Sequence, residues 1–295
     1  MLTLLLTTVV AVVVLLLVAV AFSASRKLAS PPRKVGQWSP GDMGYTYEKL
    51  EVKTSDGLTL RGWLIPRGSD RTVLVVHGYT SSKWDEWYIK PVIDILARNN
   101  FNVVAFDMRA HGESDGRYTT LGLREVEDIS KIIDLLEEKG LASRLGMIGY
   151  SMGGAITLMT AAREDRVKAA VADSPYIDIR ASGKRWVKRV GAPLRYLLLA
   201  SYPLIIYFTS KTTRTDPSKL VMFNYASLIR KPLLIIAGRN DDLVALEEIE
   251  TFFNENKKVN PNTELWVTDS KHVSAIQDYP KEYEKRVVEF FERWL

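Results

Sequence analysis

From residue 72 to the C-terminus, short runs dominated by apolar residues alternate with segments of helical periodicity. The runs are RTVLVVHG, FNVVAFD, RLGMIG, VKAAVAD, PLLIIAG and TELWVTD. A strand apolar at nearly every position must be covered on both faces, which is the situation inside a parallel sheet sandwiched by helices. Strands of that type alternating with helices predict a doubly wound, mostly parallel α/β sheet. Two earlier runs, YEKLEVKT and LTLRGWLIP, alternate in strand fashion around the turn SDG. Helices are expected over residues 87–98, 122–139 and 245–258, and from about Pro280 onward. The second carries Val126, Ile129, Ile133 and Leu136 on one face and ends at Gly140; the last carries Tyr283, Val287, Phe291 and Trp294. In such sheets functional groups gather beyond the carboxyl ends of the strands. The places to look are therefore the residues after 76, 107, 149, 174, 237 and 269.

The N-terminus obeys a different rule. Residues 2–22 hold no charged side chain, and about 20 such residues in a helix cross a bilayer core of about 30 Å. Residues 1–24 are expected to be a single-pass membrane anchor. No Lys or Arg precedes the run, and Arg26, Lys27, Arg33 and Lys34 follow it, which places the rest of the chain in the cytoplasm by the positive-inside rule. The alternative is a signal peptide cleaved in AVAFSAS, leaving a secreted protein. Residues 25–45, rich in Pro and Gly, read as a linker. The core is expected over residues 46–179 and 228–295, interrupted by an insertion at 180–227.

Composition narrows the chemistry. The chain has no cysteine, which excludes disulfides, thiolate metal sites and a cysteine nucleophile. Its 3 histidines are His77, His111 and His272. They share no helix face and form no H-E-x-x-H, so no metal and no other cofactor is expected. Between Ile179 and Thr215 there are basic residues and no acidic ones, but no recognition motif accompanies them, so a nucleic-acid partner is not expected. Abundant Lys, Arg and Glu with only Gln37 and Gln277 lean towards a thermophilic source.

The stretch GMIGYSMGGAI places Ser151 where a buried strand turns directly into a helix, in the frame G-x-S-x-G. Such a turn holds the serine in a strained conformation with its hydroxyl exposed. Side chains at Gly149 or Gly153 would strike neighbouring backbone. A serine needs a base, and His272 lies in the loop SKHVSA beyond TELWVTD. The base needs a carboxylate that fixes its tautomer, and GRNDDLV supplies Asp241 and Asp242. Asp241 is the expected acid, with one of the pair capping the following helix. The oxyanion donors are expected to be the backbone N–H groups of Met152 and Tyr79. His77 is expected to shape the loop after RTVLVVHG, and His111 to stabilise the turn DMRAHGESDG.

The motifs VVHGYTSS, FDMRAHGESDG, GYSMGG, GRNDDLV and KHVSA, in this order, resemble those of the α/β-hydrolase superfamily over roughly residues 47–295. GRYTTLGLREVEDI is similar to membrane-anchored, esterase-like bacterial and archaeal members. The resemblance implies Ser151 as nucleophile, Asp241 as acid, His272 as base, and Tyr79 and Met152 as the oxyanion hole. It also implies that residues 180–227 are a helical cap, either touching a membrane surface through its basic and apolar halves or simply packed on the core. One departure is Ala110, where the family turn usually has glycine.

These features predict a serine carboxylesterase. Small-molecule esters of short to medium acyl chain are the expected substrates. A membrane lipid, such as a monoacylglycerol or lysophospholipid, or a thioester is the alternative. Serine at 151 argues against a dehalogenase or an epoxide hydrolase. An acyl-peptidase lacks its usual propeller here, and a non-catalytic scaffold would have lost part of the triad.

Overall fold

A computed structural model describes residues 1–295. In chain order its elements are α1 (Leu2–Ala29), β1 (Glu48–Lys53), β2 (Thr59–Ile65), β3 (Arg71–Val76), α2 (Ile89–Arg98), β4 (Asn102–Phe106), α3 (Leu123–Glu138), β5 (Arg144–Tyr150), α4 (Met152–Ala161) and β6 (Val167–Asp173). Then follow α5 (Ile179–Lys188), α6 (Leu194–Ala200), α7 (Tyr202–Thr213), α8 (Phe223–Ala226), β7 (Leu233–Gly238), α9 (Leu246–Lys257), β8 (Thr263–Thr268), α10 (Ala275–Asp278) and α11 (Pro280–Trp294).

The strands form one 8-stranded sheet in the order β1-β2-β4-β3-β5-β6-β7-β8. β1 and β2 join antiparallel, and every pair from β4 to β8 is parallel. The pleat sends alternate residues to opposite faces. Leu74 and Val76 of β3 pack with α3, α4 and α9, whereas Val73 and Val75 pack with α2 and α11. Both faces are thus covered, as the uninterrupted apolar runs require. In α11 the buried stripe is Tyr283, Val287, Val288, Phe290 and Phe291, while Trp294 at the fraying end is only half-buried.

The insertion between β6 and β7 is helical, built from α5 to α8, and its two ends are tied by a bridge between Asp178 and Val221. The N-terminal helix departs from expectation. It continues through residues 25–29, so the extended segment begins at Ser30, just before Pro31 and Pro32. Residues 2–16 are all exposed, whereas Ala21, Ser25 and Ala29 are buried. Small residues four apart lie on one helix face and let a neighbouring backbone approach closely. α1 packs along α7 and touches α6, and the ring of Phe22 meets Phe208 of α7 edge-on at 5.7 Å. α1 is long and apolar enough to cross a membrane.

Candidate active site

β5 passes into α4 through Ser151, whose φ of 53° lies in the left-handed region. A non-glycine residue held there is strained by about 1–2 kcal/mol. The surrounding packing leaves it no alternative. A Cβ at Gly149 would stand 2.1 Å from the Gly153 carbonyl oxygen, and one at Gly153 would stand 2.2 Å from the Val76 carbonyl oxygen. The Ser151 N–H donates to the Asp173 carbonyl at 2.9 Å, pinning the turn to β6. The hydroxyl is left facing the space above the sheet edge.

Three of the expected residues meet there. The Ser151 hydroxyl donates to Nε2 of His272 at 2.8 Å. Nδ1 of His272 donates to Oδ2 of Asp241 at 2.6 Å. The carboxylate fixes the tautomer, so Nε2 is the free acceptor for the serine proton. The Asp241 side chain is buried, and its other oxygen accepts the backbone N–H groups of Leu243 and Val244 at 2.8 and 2.9 Å. The division of labour expected between the two aspartates is therefore not observed: Asp241 both serves His272 and caps the turn. Asp242 faces the cap, where the Arg189 Nε donates to it at 2.7 Å and holds its carboxyl below the usual range.

Tyr79 and Met152 stand at the tips of β3 and β5 and line the same pocket as Ser151 and His272. Met152 opens α4, so its N–H has no partner within the helix. The Tyr79 hydroxyl donates to the Leu28 carbonyl of α1 at 3.0 Å, and burial pushes it up to about 12. The pocket has a volume of about 180 Å³ and mostly apolar walls, among them Leu121, Trp186, Leu198 and Ile206, with Ala24 and Leu28 contributed by α1.

The other histidines are structural. The Met108 N–H donates to His77 Nε2 at 2.9 Å, and His77 Nδ1 donates to the Gly78 carbonyl at 2.8 Å. The ring thereby ties the β3 and β4 tips together beneath Tyr79. Burial holds His77 neutral, down to about 4. His111 donates from Nδ1 to the Arg109 carbonyl at 2.9 Å, and burial together with His77 lowers it to about 3. Ala110 has φ of 63°, the conformation for which glycine is the usual choice.

Several supporting groups were not picked out by the sequence reading. Val273, next to His272, donates its N–H to the Ser174 hydroxyl at 3.2 Å, and that hydroxyl donates to buried Asp173 at 2.9 Å. The Tyr283 hydroxyl donates to the same carboxyl at 3.1 Å. Burial raises Asp173 to about 6. The only sequence signal was its position at the end of VKAAVAD, a strand tip. Lys83 and Asp107, both buried, pair at 2.6 Å behind the β3 loop. A Cβ at Gly112 would stand 2.1 Å from the Asp107 carboxylate, so that turn too requires glycine.

Comparison with known proteins agrees with this fold. The family model described as alpha/beta hydrolase fold matches residues 71–194. The solved structure of the Pyrococcus furiosus esterase Pf2001 is 40% identical, with a TM-score of 0.78, covering 90% of this chain and 99% of that one. The chain belongs to the α/β-hydrolase superfamily. This hydrolase is also 26% identical to Escherichia coli (strain K12) YfhR over 257 residues, 83% of this chain and 81% of that protein. Over 138 residues, 45% of this chain and 46% of that one, it is 33% identical to the polyketide transferase ATR5 of Stachybotrys chlorohalonatus.

Proposed function

We propose that this hydrolase cleaves carboxylic esters through an acyl-enzyme on Ser151. The observation that carries this reading is the continuous relay from Ser151 through His272 to Asp241, at 2.8 and 2.6 Å, on three separate strand tips. His272 takes the serine proton as Oγ attacks the carbonyl carbon. The backbone N–H groups of Tyr79 and Met152, with the N-terminal end of α4, receive the negative oxygen. Asp241 steadies the imidazolium, which then protonates the departing alcohol. Water, deprotonated by His272, releases the acid. The Pyrococcus furiosus esterase at 40% identity supports an ester substrate. The test is turnover of p-nitrophenyl butyrate. Ser151→Ala is expected to lower kcat by roughly 10⁵-fold, and an unchanged rate would remove the assignment.

In the same reading α1 is a single-pass anchor and the hydrolase core is cytoplasmic, since Arg26 and Lys27 follow the uncharged run. The native chain has no cysteine, so Lys281→Cys creates a single reporter. It is expected to react with an impermeant maleimide only after lysis; labelling in intact cells would reverse the orientation.

A further inference from the structure

The apolar pocket over Ser151 has a neighbour of opposite character. A second cavity, of about 350 Å³, adjoins it, and Thr120 and Thr213 line both. Arg109, Arg117, Arg124 and Arg214 line this cavity with a single carboxylate, Asp56. Asp56 is already engaged, by Arg109 at 2.9 Å and by Arg124 at 2.9 Å. Arg109 is further held by buried Asp128 at 2.6 Å. Arg117 stacks over Tyr118 at 5.3 Å, and Arg214 ends α7 in the left-handed conformation. Neither of these two has a carboxylate partner. A guanidinium presents a planar fork of donors that matches the oxygens of a phosphate. Two of them lining one cavity, with their charge uncompensated, form a place for a polyoxygen anion.

A single ligand filling both cavities must be an amphiphile, with an acyl chain in one and an anionic head in the other. The source of such a molecule is at hand. α1, long enough to cross a bilayer, supplies Ala24 and Leu28 to the apolar wall. The pocket therefore sits at the foot of the span. The cap exposes Trp186, Tyr196 and Tyr207. Lys184, Lys188 and Lys211 on the same helices are exposed and have no carboxylate partner. Aromatic and cationic side chains together suit an anionic membrane surface.

We infer that the arginine-lined cavity is the head-group subsite for a phosphate-bearing monoacyl lipid, whose chain lies in the apolar pocket and whose ester carbonyl meets Ser151. This rests on the ester-hydrolase reading above. The Ser151 Oγ–acyl bond forms, the bond from the acyl carbon to the glycerol oxygen breaks, and that oxygen takes the proton held by His272. Water then breaks the Oγ–acyl bond and yields fatty acid and glycerol phosphate, with no change of oxidation state.

The test uses the full-length chain in mixed micelles with two matched substrates, 1-oleoylglycerol 3-phosphate and 1-oleoylglycerol, which differ only in the phosphate. p-Nitrophenyl butyrate is the reference. The native chain is expected to favour the phosphate-bearing ester by about tenfold or more in kcat/KM. In R117Q/R214Q that ratio is expected to fall to about one. Equal cleavage of the two oleoyl esters by the native chain, or a ratio untouched by the substitutions, overturns the inference. So does a change in butyrate hydrolysis on adding millimolar inorganic phosphate while the two oleoyl esters are cleaved equally, since the cavity would then take a free anion. Failure to cleave even the butyrate would instead sink the ester-hydrolase reading, whereas butyrate turnover without a phosphate preference sinks only the lipid head-group subsite.

Discussion

The sheet core and the cap with its attached helix α1 are built differently. In the core, every residue of β4 and β7 is buried, and each group of the serine–histidine–aspartate relay is held from a second side. Ser151 is pinned to β6, Asp241 by Leu243 and Val244, and the loop of His272 by Ser174. In the cap, α6 buries no residue at all, and Trp186, Leu194, Tyr196 and Tyr207 stand exposed. α1 joins the cap through small residues at its lower end and leaves its upper end bare. A core of that kind holds reacting atoms still. A cap of that kind has apolar surface left for something outside the chain. The difference separates a rigid sheet edge, which carries Ser151, Asp241 and His272, from a looser helical layer over it.

Breaking the core half should have the largest effect. Asp241→Asn is expected to lower kcat by about 10⁴-fold, because the tautomer of His272 is no longer fixed. Asp242→Asn, which only loosens the tie to Arg189, is expected to change kcat by less than about threefold. Comparable losses in the two variants, read with p-nitrophenyl butyrate, would mean that the acid is shared.

Acid stability sharpens the same contrast at a lower magnitude. His77 and His111 are held neutral by burial, down to about 4 and about 3, below their ordinary value of 6.5. Their folded values are depressed, so neutral pH favours the folded state and stability is lost as pH falls from 6.5 towards 4. The loss is of the order of 3 kcal/mol per histidine. His77→Gln should unfold in denaturant with a shallower pH dependence over that window. An unchanged slope would show that His77 does not titrate on unfolding.

The smallest effect belongs to the cap half. Ser25→Leu thickens the face of α1 that packs along α7. It is expected to leave the rate on p-nitrophenyl butyrate within about twofold, and to lower that on p-nitrophenyl decanoate by several-fold. Equal changes for both chain lengths would detach α1 from the acyl pocket.

The sequence carried the sheet and the strand tips because each is a local consequence of pattern. A buried run that turns straight into a helix at G-Y-S-M-G leaves one geometry for Ser151. It carried less where partners come from distant segments. Nothing near Asp242 announces that Arg189 will claim it, so the expected split between serving His272 and capping the turn gave way to Asp241 making both sets of bonds. Asp173, Ser174 and Tyr283 support the His272 loop from β6 and α11, and Tyr283 read only as a core residue. For α1, the uncharged run marked a helix long enough to cross a bilayer. The small residues Ala21, Ser25 and Ala29, spaced four apart, were the unused signal that it also packs on the cap.

The central claim is that the hydroxyl at the β5–α4 junction carries the acyl group. The direct measurement is peptide mass mapping after p-nitrophenyl butyrate turnover is quenched in acid. A butyryl adduct confined to the peptide containing Ser151, and accumulating faster than it decays in the first turnover, is the predicted result. Full turnover with an adduct on another residue, or a Ser151→Ala variant of native rate, would contradict it.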